Sequence, residues 1–174
     1  MKKWYVLRDL SRRNSRVMGH ELLRQAGLEV YTPMMQMMVG CRSRRERRDV
    51  PVIQDLLFVH EDKSVLDGYV EMYPKVQYRY VRGRSVDDPL TVSDADMDRF
   101  IAAATGTDSP RFYMPGELTP AMYGRQVRIV GGPFDGYEGR LLSVRGLRSR
   151  RLIVEIPNLI AVSVEVRPEY VQMV

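Results

Sequence analysis

An α+β protein built as two small domains is what this sequence predicts, and two observations carry the prediction. Up to Gly106, short β-branched and aromatic runs alternate with stretches whose apolar residues recur at helical spacing, in the order β-α-β-β-α-β. Beyond Pro120 the helical pattern stops, and short apolar runs follow one another between turn signals, as in a small β-barrel. A chain of 174 residues, 44% of them hydrophobic, has the side chains to build two small cores.

The first run, Trp4 to Leu7, has the aromatic and β-branched character of a buried strand, and the polar stretch Ser11 to Ser15 turns the chain after it. Between Ser15 and Ala26, Met18, Leu22 and Ala26 repeat at every fourth position, and Gly27 supplies a left-handed stop, so an amphipathic helix is expected. Leu28 to Val39 resumes extended character through Val30, Tyr31 and Thr32. Gly40 to Asp49, dense in arginine, reads as a solvated hairpin loop before the apolar strand Leu56 to Val59.

Val65, Tyr69 and Tyr73 mark a second helix halted by Pro74, and Val76 to Val81 alternates like a strand. In this split arrangement two helices cover one face of a four-stranded antiparallel sheet. Ser93 followed by Asp96 opens a third helix with the stripe Met97, Phe100, Ile101 and Ala104, ending at Gly106. The first domain is therefore expected to span residues 1–106. Residues 107–119, rich in Gly, Pro, Ser and Thr, read as a linker in which Phe112, Tyr113 and Met114 dock locally. Residues 120–174 form the second domain, with strands at Val127–Val130, Leu141–Val144, Leu152–Ile156 and Ala161–Val166.

The charge pattern points to an anionic partner. The net charge is +5, and the loop holding Arg42, Arg44, Arg45, Arg47 and Arg48 presents guanidinium groups suited to phosphates. Arg12, Arg16, His20 and Arg24 follow at four-residue spacing, which on one helix makes a basic stripe beside that loop, fit for single-stranded or forked DNA. Charge runs at loop tips also serve simply to keep a strand edge soluble, and a basic helix face is often only solvated.

The segment Val127 to Leu141 contains Gly131-Gly132-Pro133-Phe134-Asp135-Gly136-Tyr137-Glu138-Gly139, in which glycines shape a tight turn and Phe134 plugs one end of the barrel. With no helix following it, the glycine pair is not a phosphate-binding loop. This segment resembles the KOW motif, carried on Val127, Gly132, Pro133, Phe134, Gly136 and Gly139. Together with the Trp4-Tyr5-Val6 start and the basic hairpin, the whole chain resembles the NusG family of transcription elongation factors. Within that family it is most similar to the specialised antiterminators of the UpxY and RfaH type.

The resemblance implies an N-terminal NGN domain and a C-terminal KOW domain of SH3-like barrel form. It implies RNA polymerase as partner, bound at the clamp helices through Trp4, Tyr5, Ile53 and Leu56. The family's Phe-Pro-Gly-Tyr-like segment reads Ile53-Gln54-Asp55-Leu56 here, without the aromatic anchor. It further implies that the first helix and the hairpin face the non-template DNA strand, and the nucleic-acid partner is expected to be DNA of the transcription bubble or nascent RNA. Leu159 and Ile160 would lie in the loop that binds Rho or a small-subunit ribosomal protein. The expected activity is reduced pausing or termination in specific operons of the capsular polysaccharide type, by a monomer without cofactors.

Other classes fare less well. Cys41 is the only cysteine, so the chain can build neither an internal disulfide nor a cysteine-based zinc site, and a reducing, cytoplasmic setting is expected. The N-terminal apolar run is too short for a signal-peptide core, and no stretch reaches membrane-spanning length. His20 and His60 are far apart in sequence, and Asp94, Asp96 and Asp98 suit a helix start, so no catalytic set emerges. An RNA-binding protein of the ribosome carrying a KOW motif is the chief alternative. A base-stacking RRM is disfavoured because Leu56 to His60 lacks paired exposed aromatics.

Overall fold

The structure is a computed structural model that describes residues 1–12, 15–81, 83 and 88–174. Part of the expected turn at Ser11–Ser15 lies outside the described residues. The chain divides into two compact units, Met1–Asp94 and Ala95–Val174.

The N-terminal unit runs β1 (Lys3–Asp9), α1 (Gly19–Gln25), β2 (Glu29–Tyr31), β3 (Met34–Val39), β4 (Glu46–Pro51), β5 (Leu57–Glu61), α2 (Lys63–Met72), β6 (Val76–Tyr78) and β7 (Thr91–Val92). Its main sheet has the order β2-β5-β1-β6, with β7 also on β1, and every pairing is antiparallel. Strand β1 lies centrally, which is why Trp4 to Leu7 is apolar on both faces. Tyr5 and Leu7 share a core with Leu57, Val59 and Val76 of the sheet and with Leu23, Leu28 and Leu66 from the helical side. By strand alternation Trp4, Val6, Phe58 and His60 take the opposite face, where the Trp4 ring stacks on His60 at 5.0 Å.

The helices stop where the sequence says they should. Gly27 has φ +86°, a conformation that side chains with a Cβ avoid, and it ends α1. Tyr73, preceding Pro74, is extended (φ −114°, ψ 91°), as steric conflict with the proline ring demands, and it ends α2. The start of α1 differs from expectation. The helix begins at Gly19 rather than near Ser15, and its buried face is Gly19, His20 and Leu23, while Ala26 is exposed. The cause is Asp9 at the end of β1. Its buried carboxylate accepts hydrogen bonds from the backbone N–H of Ser11 (2.9 Å) and His20 (3.4 Å), anchoring the first turn from outside the helix. A Cβ on Gly19 would come within 2.8 Å of that carboxylate and push it off these hydrogen bonds.

Strands β3 and β4 form a separate two-stranded ribbon, paired from Met34↔Pro51 to Val39↔Glu46. The arginine-rich stretch is thus shorter as a loop than expected: Glu46 to Asp49 lies in β4, leaving Gly40–Arg45 as the tip. At Gly40 (φ +124°) the carbonyl oxygen of Arg44 comes so close that no side chain could be accommodated.

The C-terminal unit contains α3 (Asp94–Thr105, which starts at the unit boundary), β8 (Arg111–Tyr113), β9 (Tyr123–Ile129), β10 (Glu138–Leu142), β11 (Arg151–Ile156), β12 (Ile160–Glu165) and β13 (Val171–Met173). The strands form one antiparallel sheet in the order β13-β9-β10-β11-β12-β8. Strand β8 lies inside the stretch expected to be a linker, with Tyr113 opposite Ala161 and Arg111 opposite Ser163. Arg151 holds this edge together. Its buried guanidinium donates to Ser163 Oγ (2.9 Å), the Ser163 carbonyl (2.6 Å) and the Ser109 carbonyl (2.7 Å). All three acceptors are neutral, and burial pushes the arginine's pKa down.

Candidate nucleic-acid and polymerase interface

The β3–β4 ribbon is where the exposed basic residues of the N-terminal unit gather. Arg42, Arg44 and Arg45 occupy the tip, and Arg47 and Arg48 continue along β4, all exposed. Arg48 pairs with Glu46, whereas Arg42, Arg44, Arg45 and Arg47 have no ion-pair partner among the described residues. Unpaired guanidinium groups on a ribbon without a core of its own are free to follow a phosphate backbone. Opposite them β3 presents Met35, Met37 and Met38, 40–56% exposed, with Met37 across from Arg48 and Met38 across from Arg47. Flexible, polarizable methionines on a surface are a contact feature that the charge-led sequence reading passed over; the unalternating Met34-Met35-Gln36-Met37-Met38 run was the signal for it.

The expected basic stripe on the first helix does not form. Arg12 and Arg16 precede α1 and are exposed, Arg24 is exposed on it, and His20 is buried with its Nδ1 3.8 Å from the Asp9 carboxylate. Four-residue spacing aligns side chains only along a continuous helix, and Asp9 starts this one too late for Arg12 and Arg16 to join. Burial raises the Asp9 pKa, but hydrogen bonds from His20 and Ser11 outweigh it and hold the carboxyl below its ordinary value. His20 is therefore a positioning residue for the β1–α1 connection, not a phosphate contact.

Of the residues expected to meet polymerase, Trp4, Tyr5 and Leu56 are buried, and Ile53 alone is half-exposed. A fully apolar strand gives no inside-to-outside contrast, so periodicity could not tell contact residues from core. His60, beneath Trp4, is held on both ring nitrogens, by Glu29 at 2.8 Å and by Asp94 at 3.5 Å.

In the C-terminal unit the glycine-rich turn joins β9 to β10. Gly131, Gly132 and Gly136 have positive φ, and the Tyr170 ring packs so closely on Gly131 and Gly132 that a Cβ on Gly132 would meet it at 2.8 Å. The Gly131 N–H donates to Asp135, and the Gly136 N–H donates to the Ile129 carbonyl (2.8 Å), closing the turn. Val127 and Phe134 are buried, and Pro133 borders a surface cleft. A Cβ on Gly139 would meet the Ile153 carbonyl at 3.1 Å across the sheet, which accounts for glycine there. Leu159 and Ile160, expected in the partner-binding loop, are buried. The turn itself is Pro157-Asn158, with Asn158 at φ +62° and a hydrogen bond from Leu159 N–H to the Ile156 carbonyl (3.1 Å), which turns Leu159 back inward.

A helix-covered antiparallel sheet bearing a basic ribbon, followed by an all-antiparallel unit with a KOW-type turn, is the architecture of an NGN–KOW transcription factor. The family described as transcription termination factor nusG matches residues 2–101, more than half of the chain. The chain belongs to the NusG family, whose members act on transcription elongation and termination, bind RNA polymerase and are not enzymes. Among solved structures it is similar to the one described as "Domain interaction in Thermotoga maritima NusG", with 18% identity and a TM-score of 0.47 over 100% of this chain and 98% of that one. No curated protein matches the chain. No helix among the described residues is long and apolar enough to cross a membrane.

Proposed function

We propose that this NusG-family member is a specialised, cytoplasmic antitermination factor of the UpxY and RfaH type, which binds the polymerase clamp helices and the non-template strand of the bubble to suppress pausing. The observation that carries this reading is the β3–β4 ribbon, with four arginines at its tip and on β4 that have no ion-pair partner among the described residues and a methionine run along β3. The arginines hold upstream DNA. Ile53 and the exposed β3 methionines supply the apolar contact to protein, replacing the buried Trp4, Tyr5 and Leu56.

No bond is made or broken in such a mechanism. Binding to both polymerase and DNA stabilises the closed clamp, and a differential affinity of ~1.4 kcal/mol moves a pause equilibrium about tenfold. The test is capture of core RNA polymerase by the full chain, compared with chains carrying Ile53→Glu or Met35→Ser with Met37→Ser. Loss of capture in these variants supports the reading. Undiminished capture by all of them moves the contact elsewhere, and recovery of ribosomal particles in place of polymerase favours the ribosome-associated alternative.

A further inference from the structure

The C-terminal unit carries a second basic surface that the family assignment does not explain. The loop between β10 and β11 and the start of β11 read Ser143-Val144-Arg145-Gly146-Leu147-Arg148-Ser149-Arg150-Arg151, with no acidic residue. Pairing of β11 with β12 brings the end of this loop to the chain that leaves β12. Arg151 faces Glu165 in register, and the Val166 N–H donates to the Arg150 carbonyl at 2.9 Å. Arg150 and Arg167 thereby flank the open end of one ladder. Arg148, Ser149, Arg150, Glu165 and Arg167 line a surface cleft of about 650 Å³ there.

The arginines in this cleft are available. Arg148 and Arg150 are exposed and have no ion-pair partner among the described residues. The contact of Arg167 with Glu169, at 4.0 Å between two exposed side chains, is of the kind that contributes little. Arg151, the register partner of Glu165, is buried, and its three hydrogen bonds to Ser163 and Ser109 pin the start of β11 next to the cleft. A second cleft shares Glu165 and Arg167 and continues to Pro133 and Tyr170, so the basic surface leads to an apolar and aromatic wall.

We infer that this surface binds single-stranded RNA. Arg148, Arg150 and Arg167 take successive phosphates through their planar forks, and the cleft beside Tyr170 and Pro133 receives an unstacked base. Glu165 decides between the nucleic acids. A carboxylate among arginines opposes a ligand that offers only phosphates, but it accepts a hydrogen bond from a ribose 2′-hydroxyl, the group that distinguishes RNA from DNA, and Ser149 beside it does the same. The site stands independently of the proposed polymerase contact.

The experiment is fluorescence anisotropy of the full chain with an oligouridine of about twelve nucleotides and the matched oligodeoxyuridine, titrated across salt. It is repeated in a chain whose ribbon arginines Arg42, Arg44, Arg45 and Arg47 are alanine, so that the C-terminal contribution is read by itself. Changing Arg148, Arg150 and Arg167 together to alanine should weaken oligouridine binding about tenfold or more and lower the salt slope by about two, from three lost phosphate contacts. The corresponding triple lysine variant should recover most of that slope, which guards against a folding defect in the alanine chain. Glu165→Ala should cut affinity for oligouridine while leaving oligodeoxyuridine unchanged or tighter. Wild-type affinity and slope in the alanine variant overturn the site. Equal losses for both oligonucleotides, with Glu165→Ala neutral, overturn the assignment to RNA.

Discussion

The β3–β4 ribbon and the β11–β12 hairpin are two antiparallel pairs of the same length in residues, and they use that length in opposite ways. Each has six residues per strand in continuous register. In β11–β12 nearly every side chain is buried, including Leu152, Val154, Ile156, Val162 and Val164. In β3–β4 most are exposed, and none is fully buried. Backbone pairing is therefore common to both, while the energetic roles differ: one hairpin builds a core, and the other is held by its ladder and its two ends. A two-stranded ribbon without a core is marginal by itself. Its side chains are correspondingly free to be chosen for contact.

The largest way to sharpen this contrast is to cut into the buried side of the N-terminal sheet. Phe58→Ala should destabilise that unit by about 4 kcal/mol, as truncation of a fully buried aromatic does. Trp4, the only tryptophan and on the same face of the sheet, reports it by fluorescence in a urea titration. In the C-terminal sheet, Arg151→Ala should cost about 3 kcal/mol, because it strands the Ser163 and Ser109 carbonyls as well as losing the arginine's packing. Amide exchange should then accelerate first in β8 and β12, and uniform acceleration through the sheet would argue against the pinning role. Gly19→Ala, which drives a methyl into the Asp9 carboxylate, should cost about 2 kcal/mol by the same Trp4 titration.

Asp9 also predicts a pH dependence confined to the N-terminal unit. Its folded pKa lies below the unfolded value, so its stabilising contribution is complete above the unfolded pKa, about 4, and is lost as pH falls through the folded one. Asp9→Asn should flatten the acid limb of the Trp4 stability curve, and an unchanged limb would assign acid sensitivity to other carboxylates. The smallest stability effect belongs to the ribbon. Replacing Arg42, Arg44, Arg45 and Arg47 by alanine should shift stability by no more than about 0.5 kcal/mol while reducing nucleic-acid affinity and its salt slope. A large loss of stability there would break the comparison.

Much of the fold was legible in the chain. The α+β class, the helix stops at Gly27 and Pro74, and the glycine-rich turn between β9 and β10 follow from local sterics that need no distant partner. So does the clustering of arginines at a hairpin tip, since neighbours in sequence stay neighbours in a tight turn. Strand β8 was hidden in a Gly- and Pro-rich stretch, because its three residues become a strand only by adding to the edge of β12.

What only the tertiary structure decided is which side of each element faces inward. Asp9, eleven residues before His20, sets where α1 begins and so turns an expected basic stripe into a buried histidine with three separate arginines. Trp4, Tyr5, Leu56, Leu159 and Ile160 carry no mark in the sequence that separates contact surface from core, and the packing puts all of them inside. Arg150 and Arg167 meet because β11 and β12 pair in one register. Local conformation is set by each residue and its immediate neighbours; burial and the meeting of distant side chains depend on long-range pairing, which the linear pattern constrains but does not name.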